Sequence, residues 1–102
     1  MYIIKPTKFF TKWFEKQNSV VQEKVSDNID RMRQGNFSNC KALKAGLYEL
    51  KINHGKGIRV YYIKKGGVLI ILLNGGADKK HQQDDIEKAY KLKGFIGENE
   101  EL

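Results

Sequence analysis

The chain of 102 residues is expected to form one domain with one modest core, and it is too short for two. Hydrophobic residues make up 40% and charged residues 30%, a globular balance, and the formal charge is +7. The single cysteine, Cys40, excludes an internal disulfide, and the longest aliphatic run, residues 68–73, is far short of the roughly 20 residues that cross a bilayer.

Residues 1–5 show no apolar stretch of the kind a secretory signal needs, so a cytoplasmic protein is expected. The charge is uneven. Residues 1–34 hold seven Lys/Arg and four Asp/Glu, residues 35–66 hold seven and one, and residues 67–102 hold five and seven. A basic middle third is the footprint of a polyanion partner, nucleic acid being the commonest, although solubility alone also accounts for it.

Along the chain, Tyr2-Ile3-Ile4 reads as a short strand that Pro6 ends. Thr7 can cap a helix over residues 8–16, in which Phe9, Phe10, Trp13 and Phe14 share a face that reads as core. Ser19 can cap a second helix with Val21, Val25, Ile29 and Met32 at helical spacing, ended by Gly35-Asn36. The period then changes to two: Tyr48, Leu50 and Ile52 fall on one face, Leu47, Glu49 and Lys51 on the other. A turn at 54–57 precedes a β-branched and aromatic strand at 58–63, and Lys64-Lys65-Gly66-Gly67 closes a hairpin. Residues 68–73 are apolar throughout, which predicts a central strand covered on both sides, stopped by Asn74-Gly75-Gly76. A last helix is predicted over 80–95, with Ile86, Ala89, Tyr90 and Lys93 on one face, followed by an acidic, unpacked tail at 97–102. The order β-α-α-β-β-β-α predicts a two-layer α+β domain, an antiparallel sheet packed by helices.

No metal-ligand spacing, phosphate loop or nucleophile elbow occurs, and no cofactor is expected. What remains is a set of cations near strand ends. Arg59 stands between Ile58 and Val60 and needs a partner. Glu49 on the neighbouring strand offers a structural ion pair; an arginine aimed at phosphate is the functional alternative. Asp78-Lys79-Lys80-His81-Gln82-Gln83 follows the central strand and opens the last helix, with Asp78 as its cap. Read alone, that stretch is a solvated first turn and His81 a surface histidine.

These pieces also occur as an ordered set. Gly35-Asn36, Gly46-Leu47-Tyr48-Glu49-Leu50-Lys51-Ile52, Gly55-Lys56-Gly57-Ile58-Arg59-Val60-Tyr61-Tyr62, Leu72-Leu73-Asn74-Gly75-Gly76 and the segment from Asp78 to Ala89 resemble the RelE/ParE toxin superfamily, most closely its HigB-like addiction module killer branch. The resemblance covers most of residues 35–90 and departs from the family pattern at Lys51, Lys56, Ala77, Lys80 and His81. It implies the toxin of a type II toxin–antitoxin pair, neutralised by an antitoxin of helix-turn-helix type. It further implies cleavage of mRNA on the ribosome without metal, by attack of a 2′-hydroxyl on the adjacent phosphate. In that chemistry Arg59 would hold phosphate, Lys79 or Lys80 would add charge, His81 would move a proton, with Tyr61 and Tyr62 as alternatives, and Gln82 would orient a base or phosphate. Lys51, Lys56, Tyr61 and Tyr62 would contact RNA. The ParE branch implies a different activity, poisoning of DNA gyrase, and a degenerate copy would only bind RNA or antitoxin.

Overall fold

The computed structural model describes residues 1–99. Strand β1 (Ile3–Pro6) gives way to helix α1 (Lys8–Glu15) at Thr7, whose extended backbone and Oγ1, accepting from the Phe10 amide at 3.3 Å, cap the helix as predicted. Helix α2 (Ser19–Arg33) buries Val21, Val25, Ile29 and Met32 at the expected spacing. Its cap is Asn18 rather than Ser19, through Oδ1 accepting from the Val21 amide at 2.9 Å. The helix ends in a Schellman pair: Asn36 N–H to the Arg31 carbonyl at 2.8 Å and Gly35 N–H to the Met32 carbonyl at 2.9 Å. Gly35 stands at φ +91°, where a side chain is strained.

Four further strands follow: β2 (Cys40–Ala42), β3 (Tyr48–Ile52), β4 (Ile58–Lys65) and β5 (Leu69–Gly76). The sheet order is β1-β5-β4-β3-β2, with β1 parallel to β5 and every other pair antiparallel. The predicted order lacked β2, because a three-residue strand carries too little pattern to show a period. A one-turn 3-10 segment, Lys44–Gly46, joins β2 to β3. A second, Lys79–His81, is capped by the Asp78 side chain and leads into helix α3 (Gln82–Asn99). That helix begins and ends later than predicted. Its backbone includes part of the stretch expected to be a tail, and residues 100–102 lie outside the described residues.

The two-layer expectation is corrected. Leu50, Ile52, Ile58, Val60, Tyr62, Ile70 and Leu72 pack with α1 and α2 on one face of the sheet. Tyr61, Ile63, Ile71 and Leu73 pack with Ala89, Leu92 and Ile96 of α3 on the other. Helices therefore cover both faces, which is why residues 69–73 are apolar on both. The strand starts one residue late, since Val68 lies in the hairpin turn and is 52% exposed. It also does not stop at Asn74-Gly75-Gly76, which are its last three residues.

Candidate functional site

A β-bulge builds the site. Tyr62 pairs with Leu72 and Tyr61 with Asn74, so Leu73 is an extra residue on β5. Its carbonyl accepts from the Thr7 hydroxyl at 2.9 Å. The insertion reverses the alternation beyond it. Asn74 turns to the α3 side and donates through Nδ2 to the Asp85 carbonyl at 3.1 Å. Gly75 turns to the α1 side, where a Cβ would overlap the Trp13 ring; Gly76 turns to the α3 side, where a Cβ would overlap the Asp85 carboxyl. Both glycines are thus kept small by close approach, and neither has a positive φ.

On the α3 side a polar patch interrupts the core. Lys41, Glu49, Tyr61 and Asn74 stand in one row across β2, β3, β4 and β5, and Lys51, Arg59 and Gly76 form the next. Glu49 is 1% exposed. Its Oε2 lies 3.8 Å from Arg59 Nε and accepts from Gln82 Nε2 at 3.2 Å, and its Oε1 lies 3.8 Å from Lys41 Nζ. The Arg59 guanidinium presents its other side to Gly57, whose Cβ position would lie 2.9 Å from a terminal nitrogen. Glu49 Oε1, Arg59 Nε, Tyr61 Oη and Asn74 Oδ1 are buried without a hydrogen-bond partner among the described residues. Four such atoms at neighbouring positions leave polar capacity in the site that the chain itself does not satisfy. Burial, and then the Glu49 and Asp85 carboxylates, push the Tyr61 hydroxyl well above the usual phenol range, so it stays protonated as a donor.

The chain ends of the site are drawn together by backbone. The Lys79 N–H donates to the Lys56 carbonyl at 2.9 Å, and Lys56 Nζ lies 3.9 Å from Asp78 Oδ2. This bridge sets the 54–57 turn beside the 3-10 segment, so that Lys56, Lys79, Lys80 and His81, all exposed, rim the Arg59 end of the sheet. Asp85, one helical turn beyond His81, sits against Gly76. Its carboxyl is raised above the ordinary range by burial, while His81 pulls it down and Asp84 raises it.

Of the residues singled out from sequence, Arg59, Glu49, Lys51 and Gln82 meet on the α3 side, and Lys56, Lys79, Lys80 and His81 gather at its rim. Glu49 and Arg59 do form an ion pair, without a hydrogen bond. Gln82 holds Glu49. Tyr61 and Tyr62 are not brought to the surface: both are at most 1% exposed, on opposite faces of the sheet, and Tyr62 stacks on Tyr48 at 5.3 Å. Sequence reading missed Lys41, Asn74 and Asp85. Lys41 needed the unseen strand β2, and Asn74 needed the bulge; Asp85 carried a signal, an acid one turn after His81 on a helix. Among the described residues no group of three His, Cys, Asp or Glu side chains is placed to hold a metal ion, and no helix is long and apolar enough to cross a membrane.

Architecture and comparison agree. A mutant of the E. coli toxin RelE in the free state matches with a TM-score of 0.70 at 19% identity, covering 88% of this chain and 95% of that one. A chain of the intact E. coli RelBE toxin–antitoxin complex matches with a TM-score of 0.65 at 17% identity, covering 78% of this chain and 99% of that one. The fold is therefore that of RelE. The profile of the family described as phage derived protein Gp49-like matches residues 12–93, and the chain belongs to that family. An uncharacterized protein of Haemophilus influenzae is 41% identical over 95 residues, 92% of this chain and 95% of that protein.

Proposed function

We propose that this protein is the toxin of a type II toxin–antitoxin pair, of the HigB-like branch, and acts in the cytoplasm as a ribosome-associated endonuclease of mRNA. The observation that carries the reading is the convergence of Lys41, Lys51 and Arg59 on one face with Lys56, Lys79, Lys80 and His81 at its edge. The shared RelE fold supports it.

The reaction this arrangement suits is an internal transfer. The 2′-oxygen forms a bond to the adjacent phosphorus, the bond from phosphorus to the 5′-oxygen breaks, and the products are a 2′,3′-cyclic phosphate and a 5′-hydroxyl. One proton leaves the 2′-hydroxyl and one reaches the 5′-oxygen. Charge grows on the phosphoryl oxygens in between, and fixed cations stabilise it most where water is excluded. Arg59, 7% exposed at its side chain and already flanked by Gly57, is the preorganised cation; its planar fork matches two phosphoryl oxygens. Lys51, Lys56, Lys79 and Lys80 hold the flanking phosphates. His81 carries a proton. Glu49 and Gln82 position Arg59 rather than touch RNA. The partner is an antitoxin of helix-turn-helix type that covers this face with acidic and apolar side chains.

The test is induction of the protein in cells, followed by primer extension on a translated transcript and a DNA-damage reporter. New 5′ ends inside the reading frame, absent from an untranslated copy, are the expected result. Growth arrest with intact transcripts and an active damage reporter would replace this reading with gyrase poisoning.

A further inference from the structure

We propose that the cleft between α1 and the start of α3 is a nucleobase subsite, in which one unpaired base of the bound RNA stacks on Trp13. The inference rests on the RNA-binding reading above and goes beyond it by naming where a base, rather than a phosphate, is held.

The cleft exists because β1 stops short. Its pairing with β5 ends at Pro6 and Leu72, and Thr7 then turns the chain into α1. Beyond that point β5 keeps β4 on one edge but has no strand on the edge β1 has left, and α1 crosses its end with Trp13 lying over Gly75. The result is an open cavity of about 360 Å³, walled by Trp13 of α1, Gln17 just beyond that helix, His81 and Asp85 from the α3 side, Lys56, and residues 75–78. Trp13 is only half-buried there.

Each wall matches a part of a nucleotide. A partly exposed indole offers a flat surface of the kind on which single-stranded bases stack. Gln17 Nε2 donates one N–H to the Trp13 carbonyl at 3.0 Å, which fixes the amide and leaves its oxygen free to accept. The Asp85 carboxyl adds a second acceptor. Two acceptors select a base edge made of donors, and guanine presents adjacent imino and amino donors on its pairing edge. Lys56 stands where the phosphate of that nucleotide runs towards the cation cluster, and His81 is common to both sites. The apolar groove between α1 and α2, by contrast, is lined by Phe10, Phe14 and Ile29, with Arg33 as its cation.

Trp13 is the only tryptophan of the chain, so tryptophan emission, excited selectively over the tyrosines, reports on this cleft. The probe is a 2′-O-methyl hexaribonucleotide, which cannot be cleaved, carrying either guanines or uridines. Binding is followed separately by the anisotropy of an end-labelled copy. The subsite predicts saturable quenching of Trp13 over the same concentrations that raise the anisotropy, with the guanine probe bound several-fold tighter. Trp13→Phe should bind within about threefold of the parent, whereas Trp13→Leu should bind about tenfold more weakly. Rising anisotropy with unchanged fluorescence, or a folded Trp13→Leu protein that binds like the parent, overturns the subsite and leaves the RNA reading intact. Equal affinity for both probes overturns the roles of Gln17 and Asp85. Silence in both signals defeats the RNA reading and the subsite together. The parent protein alone gives the decisive quenching result, so a variant that fails to fold does not rescue the proposal.

Discussion

Arg59 Nε lies 3.8 Å from Glu49 Oε2, beyond hydrogen-bond reach, although both side chains are more than nine-tenths buried. An ion pair selected for stability closes to a bidentate contact in such a setting. Here the carboxylate is shared among Arg59, Lys41 and Gln82, and the fork of the arginine is left turned towards Gly57. Glu49 thus neutralises and steers Arg59 without engaging its terminal nitrogens.

That relationship predicts the behaviour of Glu49→Gln. The amide keeps an acceptor for Gln82 but leaves Arg59 as an uncompensated buried charge. Stability should fall by about 3 kcal/mol, the low end of what breaking a buried pair costs, because the pair is loose. Urea unfolding at pH 7 measures it. A change below about 0.5 kcal/mol would mean that Arg59 is solvated rather than paired.

The bulge at Leu73 predicts a coupling between Gly75 and Trp13. Gly75→Ala forces the new methyl against the indole and should cost about 1–3 kcal/mol. In a Trp13→Ala background the same change should cost nearly nothing. Equal costs in both backgrounds would show that the strand end does not pack on the helix as described.

Asp85 sets a pH dependence. Burial holds its carboxyl above the ordinary value of 3.8, so the folded protein keeps that proton to higher pH than the unfolded chain does. Stability from this group is therefore lost as pH rises from about 3.8 through the raised folded value. Asp85→Asn removes that loss. Its melting temperature should exceed the parent's at pH 7, and the gap should close below pH 3.8. A gap that widens in acid would reverse the assigned direction.

Much of the scaffold was legible from spacing. The 3.6-residue recurrence of Val21, Val25, Ile29 and Met32 and the alternation of Tyr48, Leu50 and Ile52 both predicted burial that the structure has. The end of β5 was not. Asn74-Gly75-Gly76 has turn composition, and only the bulge and the two side chains pressed against those glycines explain why it remains a strand. Tyr61 and Tyr62 illustrate a second limit: exposed aromatics and core aromatics share one composition, and α3 and α2, distant in sequence, decide which they are. Arg59 was found because a charge inside an apolar strand demands a reason. Lys41 was invisible without its partner strand.

The most direct test of the cation cluster is single-turnover cleavage of mRNA on purified ribosomes by the parent and by Arg59→Lys, beside thermal melts of both. Lysine keeps the charge and loses the fork. The account predicts a melting transition close to the parent's and a cleavage rate about a hundredfold lower, the usual cost of losing one transition-state donor. A folded Arg59→Lys protein that cleaves as fast as the parent would contradict it and confine Arg59 to balancing Glu49.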